Sequence, residues 1–234
     1  MSASTLYAEA RRHTYLDAPV DLYHRRLVGT LLERVGLSAG QRVLEVGAGT
    51  GRYTRALLDL GLEVLALEPD PVLYAKLEAQ LGAASGVRLL RAAVGELPEA
   101  LPDLQGLCGF HVLHHFDDAV LRALGADLRR LVRDNPGFRG WFFMEPNPWN
   151  VLYPVQIGLR PGMRFREERG IWTNDYARIF EPCHVGFEVF GHIGRLPPAL
   201  CRRLPERLLR TLAPRLRRGP SLTALYRVVG ARAA

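Results

Sequence analysis

Short apolar runs alternate with segments of helical periodicity along the first 150 residues. The runs have the length of buried strands, and most of them end at glycine, proline or polar residues. They lie at residues 42–46, 63–67, 87–91, 107–112 and 140–144. Apolar positions recur at helical spacing in residues 20–37, 50–60, 71–81 and 119–132. Strands that alternate with helices predict an α/β fold with a doubly wound, mostly parallel sheet and helices on both faces.

The regular alternation ends after Glu145. Prolines at positions 146, 148, 154 and 161 exclude a long helix or a central strand there. Residues 146–170 are therefore predicted to form a lid insert over the sheet. Further on, the pattern predicts a helix at 173–180, a strand at 187–193, proline-broken helices over 197–218 and a last strand at 225–229. With these two strands the predicted sheet has about seven.

We predict that all of these elements belong to one domain. Residues 1–194 form its core, with an N-terminal helical cap and the lid insert. Residues 195–234 supply basic C-terminal helices and the last strand of the same domain. Inside the lid, residues 164–169 mix arginines with glutamates, a pattern that is typical of a solvated face.

The first predicted strand runs into a glycine-rich loop, Glu45-Val46-Gly47-Ala48-Gly49-Thr50-Gly51, directly before a helix. Glycines at alternate positions let the backbone turn sharply and approach a ligand at the helix N-terminus. Arg52 stands where a dinucleotide fingerprint needs its third glycine, and the Gly-Lys-Ser/Thr ending of a P-loop is absent. Glu68 follows the second strand, where an acid can accept hydrogen bonds from both hydroxyls of a ribose. The sequence therefore predicts a ligand that contains a nucleoside.

The glycine loop and the acid after the second strand together resemble the class I S-adenosylmethionine-dependent methyltransferases, over residues 20–195. The resemblance implies a Rossmann-like methyltransferase fold with S-adenosylmethionine as cofactor and S-adenosylhomocysteine as product. Residues 91–98 resemble the family segment beside the adenine, although Ala93 stands where an aspartate is common, so base recognition is expected to rest on the backbone and Val94. The cofactor-binding residues that the resemblance implies are Glu45, Gly47, Ala48, Gly49, Gly51, Glu68, Pro69, Ala93, Val94 and Gly109.

Three histidines follow the fourth strand in Gly109-Phe110-His111-Val112-Leu113-His114-His115. This segment resembles the LHH segment of small-molecule methyltransferases of the ubiquinone- and menaquinone-biosynthesis type, and Glu145-Pro146-Asn147-Pro148 resembles an EPN turn of bacterial members. The resemblance implies a small-molecule acceptor that takes the methyl group on oxygen, nitrogen or carbon. Because some oxygen and nitrogen acceptors must lose a proton during methyl transfer, His114 and His111 are candidate general bases. For each of them we favour the simpler interpretation, in which it caps the next helix or packs against the sheet.

Aromatic residues in and near the lid are candidates for acceptor binding, because loops over a rigid sheet commonly carry specificity. They are Trp149, Tyr153 and Trp172, which could equally fill a small core of the lid itself. We expect no metal ion. His111 and His115 have HxxxH spacing, but that spacing directs both rings at one ligand only on a helix, and His111 is predicted to lie in a strand.

The charge of the chain is concentrated at its C-terminal end. The 234 residues carry a net charge of +7, to which residues 195–234 contribute +9 and the remainder −2. A slightly acidic core suits a cationic cofactor and makes nucleic acid an unlikely substrate. Base methyltransferases that act on exocyclic amines typically carry N/D-P-P-Y/F/W after the fourth strand, where this chain has Gly-Phe-His-Val. An rRNA or tRNA methyltransferase is nevertheless kept as an alternative.

A second alternative is an enzyme that acts at a membrane surface. Within residues 197–218, leucines recur every four residues with arginines mostly opposite, a pattern that also suits peripheral contact with anionic lipid and a lipid- or quinone-like acceptor. We favour the simpler interpretation, in which the leucines pack on the sheet and the arginines face water. The chain has no apolar run of the roughly 20 residues that a membrane-spanning helix needs. With three cysteines and no apparent secretory leader, we expect a cytoplasmic protein.

Overall fold

The apolar runs of the sequence pair side by side in one sheet of seven strands, in the order β3-β2-β1-β4-β5-β7-β6. This computed structural model describes residues 20–159, 163–194, 203–212, 214–219, 222 and 224–233. The strands are β1 (Arg42–Val46), β2 (Glu63–Leu67), β3 (Val87–Leu90), β4 (Gly106–Phe110), β5 (Gly140–Pro146), β6 (Glu188–Ile193) and β7 (Tyr226–Arg232). The first five strands are parallel to one another, and β7 runs antiparallel to both β5 and β6. The predicted doubly wound, mostly parallel sheet is confirmed.

Helices cover both faces of this sheet. The helices of the regular part are α1 (Leu22–Arg34), α2 (Arg52–Asp59), α3 (Pro71–Leu81) and α4 (Asp118–Asp134). Alternate strand residues face opposite sides, so Val43 joins one buried apolar cluster with α1, α2 and α3, while Leu44 joins a second with α4. Side chains of Asp21, Asp70 and Asp117 cap α1, α3 and α4 by accepting hydrogen bonds from free backbone amides.

The lid insert is more helical than predicted. In the structure the lid continues to Asn174 and holds α5 (Leu152–Leu159), α6 (Phe165–Glu168) and α7 (Gly170–Thr173), which are followed by α8 (Tyr176–Phe180). Pro154 fits in α5 because it lies in the first turn, where its missing N–H is not needed. The predicted helix at 173–180 is divided because Asp175 caps the start of α8. Strand β4 ends two residues early because His111 adopts a φ of 57°, outside the extended region.

Parts of the predicted ends lie outside the described residues. The first 19 residues of the N-terminal cap and residues 195–202 of the predicted C-terminal helices belong to these parts. Within 203–212 one helix, α9 (Glu206–Thr211), is present, and it packs on α1 through Leu209 and Tyr23. Across the described ranges, no helix combines the length and the apolar character that crossing a membrane requires.

Candidate active site

The loop after β1 is shaped by glycines in the left-handed region. Gly49 has a φ of 59° and Gly51 a φ of 88°. A Cβ atom on Gly51 would lie 2.7 Å from the side chains of Leu77 and Leu81, whereas one on Gly49 would meet open space. Glycine is therefore required at position 49 because of the backbone conformation there. At position 51 it is required both by the backbone conformation and by the close packing of Leu77 and Leu81. The amides of Gly47 and Ala48 both donate to the carbonyl oxygen of Leu67 at 2.9 Å, which ties the loop to the end of β2.

Glu68 links this loop to the end of β2. Its Oε2 accepts a hydrogen bond from the amide of Gly49 at 2.8 Å, and its Oε1 accepts one from the amide of Asp70 at 3.0 Å. The side chain is buried, and burial raises its pKa to about 7 although the two amides favour the charged form. The carboxylate is thus held in a fixed orientation beside the glycine loop.

Glu45 and Gly109 support the loop from inside the sheet. The hydroxyl of Thr54 donates to Glu45 Oε2 at 2.6 Å, which joins β1 to α2, and burial raises the pKa of Glu45 to about 8. A Cβ atom on Gly109 would overlap the ring of Phe143. Both positions therefore have a packing role, and their contact with a cofactor stays a prediction.

A cavity of about 870 Å³ lies at the carboxyl ends of the parallel strands. Five of the predicted cofactor residues line it, namely Gly47, Glu68, Pro69, Ala93 and Val94. The other five, Glu45, Ala48, Gly49, Gly51 and Gly109, lie in the same loop or strands but are not among its lining residues within the part of the chain that the structure describes. The cavity then continues past the end of β4, where His114 and His115 line it, to the lid, which closes it with residues of α6 and α7.

His114 lies between two carboxylates. Its Nδ1 is 2.6 Å from Glu145 Oε2, and its Nε2 is 3.3 Å from Glu168 Oε2. Burial lowers the pKa of His114, but Glu145 and Glu168 outweigh it and raise the pKa to about 9. With both ring nitrogens in contact with carboxylates, proton abstraction by His114 would require Glu168 to move. Its role as a general base stays a prediction.

Glu145 also fixes the turn that carries the histidines. Its Oε1 accepts hydrogen bonds from the amides of Val112 at 2.9 Å and Leu113 at 3.0 Å. Burial raises the pKa of Glu145, while His114 and these amides lower it to about 2 overall. The carboxylate therefore stays charged at neutral pH and holds the 3-10 helix Leu113–His115 against the end of β5.

The other two histidines differ in their surroundings. The ring of His115 lies 3.9 Å from that of His114, centroid to centroid, and burial lowers its pKa to about 4. Its Nδ1 is buried and has no hydrogen-bond partner among the described residues. The ring of His111 instead packs 5.0 Å from Tyr226, centroid to centroid. His111 is therefore not part of the His114–His115 pair, and its predicted catalytic role stays untested.

The aromatic residues of the lid are clustered but lie outside the cavity lining. Tyr153 and Trp172 have ring centroids 6.3 Å apart, and Trp172 Nε1 donates to the carbonyl oxygen of Pro148 at 3.1 Å. Trp149 is 55% exposed. None of the three is among the residues that line the cavity in the described ranges. Their contact with an acceptor stays a prediction.

Sequence patterning missed the lid residues that do reach the site. Glu168, interpreted as part of a solvated charge run, is only 8% exposed, and the hydroxyl of Tyr153 donates to its Oε2 at 3.3 Å. The Nδ2 atom of Asn174 donates to the carbonyl oxygens of Leu113 and Phe116. The pattern of apolar and polar residues could not indicate the burial of Glu168, because α6 has only four residues and shows no measurable periodicity.

Residues 43–135, which contain the glycine loop, Glu68 and the histidine turn, match a family model described as methyltransferase domain. These residues have the sequence pattern of a methyltransferase domain. The chain also resembles curated proteins. The chain is 32% identical over 103 residues to a protein-L-isoaspartate O-methyltransferase of Methylorubrum populi, which covers 41% of this chain and 49% of that protein. It is 33% identical over 180 residues to a probable dimethyladenosine transferase of Drosophila melanogaster, which covers 77% of this chain and 55% of that protein.

Structural comparison extends the likeness beyond this domain. The fold matches that of a TehB-like SAM-dependent methyltransferase of Corynebacterium glutamicum, with a TM-score of 0.57, 14% identity and coverage of 98% of both chains. The part of the chain that the structure describes therefore has the Rossmann-like methyltransferase fold. The matched part of the chain spans only about half the length of the protein-L-isoaspartate O-methyltransferase and of the dimethyladenosine transferase.

Proposed function

We propose that this chain transfers a methyl group from S-adenosylmethionine to a small-molecule acceptor. The observation that carries the proposal is that one cavity joins the glycine loop and Glu68 to the histidine turn and the lid. A volume of about 870 Å³ is within the range of pockets that enclose small ligands. The family match and the fold support the reaction class.

The residues on the loop side fit the proposed cofactor. Gly49 faces open space in a conformation that other residues rarely adopt, and Glu68 presents a buried carboxylate that is already oriented by two amides. Glu68 would accept hydrogen bonds from the ribose hydroxyls, while Ala93 and Val94 would border the base. The cofactor supplies a methyl group on a sulfonium, which is an activated leaving group. The protein therefore has mainly to align the acceptor and exclude water.

The histidine side of the cavity suits an enclosed acceptor. Asn174 fastens the lid to the backbone of the histidine turn, which closes the cavity on that side. On α5, which contacts α6 of the lid, Leu152 is 68% exposed and Leu159 is 77% exposed. An apolar lid surface of this kind supports an apolar, quinone-like or lipid-like acceptor, in agreement with the resemblance of the histidine turn to ubiquinone-type enzymes.

RNA methylation is the second candidate, and the likeness to a dimethyladenosine transferase favours it. The turn after β4 argues against it. An enzyme that flips a base stacks it on an aromatic ring at the active site, whereas here Leu113 and His114 occupy the turn and are buried. Phe110, at the end of β4, already stacks on Tyr53 at 4.1 Å, centroid to centroid.

Isotopically labelled S-adenosylmethionine separates the two candidates. The protein is incubated with a cell extract, and label is measured in the small-molecule, lipid and RNA fractions. We expect label in an extractable small molecule or lipid, and none with Glu68→Ala. Label confined to RNA would replace the proposed acceptor class, and a wild-type protein that does not bind the cofactor would contradict the reaction itself.

Cofactor affinity is expected to depend on pH through Glu68. In the free protein its pKa is raised to about 7, and ribose hydroxyls that donate to the carboxylate favour the charged form. Affinity should therefore be highest above pH 7 and fall on acidification, by at most about tenfold per pH unit. Calorimetric titrations between pH 6 and 8.5 measure the slope. Glu68→Gln, which cannot ionise, should bind weakly at every pH with a flat profile, and an equal slope in both proteins would contradict the assignment.

A further inference from the structure

A cluster of possible metal ligands lies where the histidine turn meets the lid. One nitrogen of His114, one nitrogen of His115 and a carboxylate oxygen of Glu168 lie within 4.8 Å of one another. Two histidines come from the end of β4, and the glutamate comes from α6, more than 50 residues further along the chain. We propose that His114, His115 and Glu168 bind a divalent transition-metal ion at the acceptor end of the cavity.

The spacing of the His114 and Glu168 atoms fits a shared cation. Their separation of 3.3 Å is longer than the roughly 2.7–2.9 Å of a charge-assisted hydrogen bond. Two ligands at about 2.0–2.2 Å from a tetrahedral ion lie roughly 3.3–3.5 Å apart. The ion can therefore take the place of the proton between these two atoms with little movement of either side chain. Gly170 permits this approach of the lid, because a Cβ atom there would overlap the carbonyl oxygen of His114.

The surroundings of the cluster are those of a metal site. A ligating histidine usually gives its second ring N–H to a carboxylate, and His114 Nδ1 contacts Glu145 at 2.6 Å. A ligating carboxylate is usually hydrogen-bonded in turn, and Glu168 receives the hydroxyl of Tyr153. His115 has a buried ring nitrogen without a hydrogen-bond partner among the described residues, as an apo ligand would.

The donor set indicates the class of metal. Two imidazoles and one carboxylate suit Zn²⁺, Fe²⁺, Co²⁺ or Ni²⁺, whereas Mg²⁺ and Ca²⁺ prefer sites of oxygen atoms alone. Three protein ligands leave at least one coordination position open, as in catalytic zinc sites. His114 and His115 line the cavity, so that position can face an acceptor.

The ion has a direct use in the proposed reaction. An acceptor hydroxyl bound at the open position would release its proton to solvent more easily, and its oxygen would then take the methyl group as the sulfonium becomes a thioether. This use rests on the proposed methyl transfer. Binding of the ion does not, and it can be measured without cofactor or acceptor.

Metal-free protein titrated with Co²⁺ and Zn²⁺ tests the site. We expect one ion per chain, visible absorption bands of coordinated Co²⁺, and displacement of Co²⁺ by Zn²⁺ but not by Mg²⁺. His115→Gln and Glu168→Gln should each weaken binding by at least about tenfold, and Glu145→Gln by about 10- to 100-fold, the range found for groups that orient a ligand.

Glu167→Gln is the matched control, because it removes a neighbouring carboxylate of the cavity wall that is not in the cluster. It should bind Co²⁺ as the wild type does. Circular dichroism checks that each variant folds, and His115→Gln decides the matter if Glu168→Gln does not fold. Absence of binding to the wild type, or equal affinity in all variants, would overturn the proposal. Binding with no effect of metal removal on methylation would leave the site intact and contradict only its use in the reaction.

Discussion

Replacing Glu68 by alanine is expected to cause a large loss of affinity for the cofactor. Each of its two oxygens accepts a hydrogen bond from a backbone amide. The side chain is therefore already ordered and loses little conformational entropy when it binds the ribose hydroxyls. A hydrogen bond to a charged group contributes about 1.5–3 kcal/mol. Loss of two such bonds corresponds to a weakening of at least about 100-fold, since each 1.4 kcal/mol is tenfold. Calorimetry with S-adenosylmethionine at pH 8 measures the difference.

Glu63→Ala is the control for this experiment. Glu63 lies at the start of β2, whereas Glu68 follows its end, and Glu63 forms an exposed ion pair with Arg42. Its removal should leave cofactor affinity unchanged, and the free energy of unfolding should change by about 0–1 kcal/mol. If Glu68→Ala remains folded and binds the cofactor within about threefold of the wild type, Glu68 does not hold the ribose.

Replacing Glu145 by alanine is expected to cause a large loss of stability. The substitution leaves the amides of Val112 and Leu113 without their acceptor and removes the nearer counter-charge of the buried His114. Breaking a buried ion pair by removing one partner costs about 3–5 kcal/mol. Urea unfolding of the metal-free protein, followed by circular dichroism, measures the decrease in the free energy of unfolding.

Two further variants show whether the loss comes from the buried charge. Glu145→Gln keeps an acceptor for the amides but not the charge, so its stability should lie between those of the wild type and Glu145→Ala. Glu188→Ala removes an exposed glutamate of β6 that pairs with Arg34 at 3.8 Å, and it should change stability by less than about 0.5 kcal/mol. Equal effects of Glu145→Ala and Glu188→Ala would show that the pair with His114 does not stabilise the fold.

The sheet and the glycine-loop end of the cavity were predictable from sequence because their signals are local. A buried parallel strand is a short apolar run, and a loop that turns at once into a helix needs glycine in the left-handed region, as Gly49 and Gly51 show. The boundaries of the first two strands agree with the prediction residue for residue. Glu68 could be found for the same reason, because the carboxyl end of a strand adjacent to β1 faces the loop.

The acceptor side could not be predicted in this way. The short helices of the lid have too few residues to show a period, and the burial of Glu168 depends on its contact with His114, from which it is separated by the whole of α4 and β5. The sequence alone determined the fold class and predicted where a nucleoside would bind. Only the tertiary structure decided that His114 and His115 face Glu168, since packing of the lid on the sheet, and no local pattern, brings carboxylates and imidazoles together.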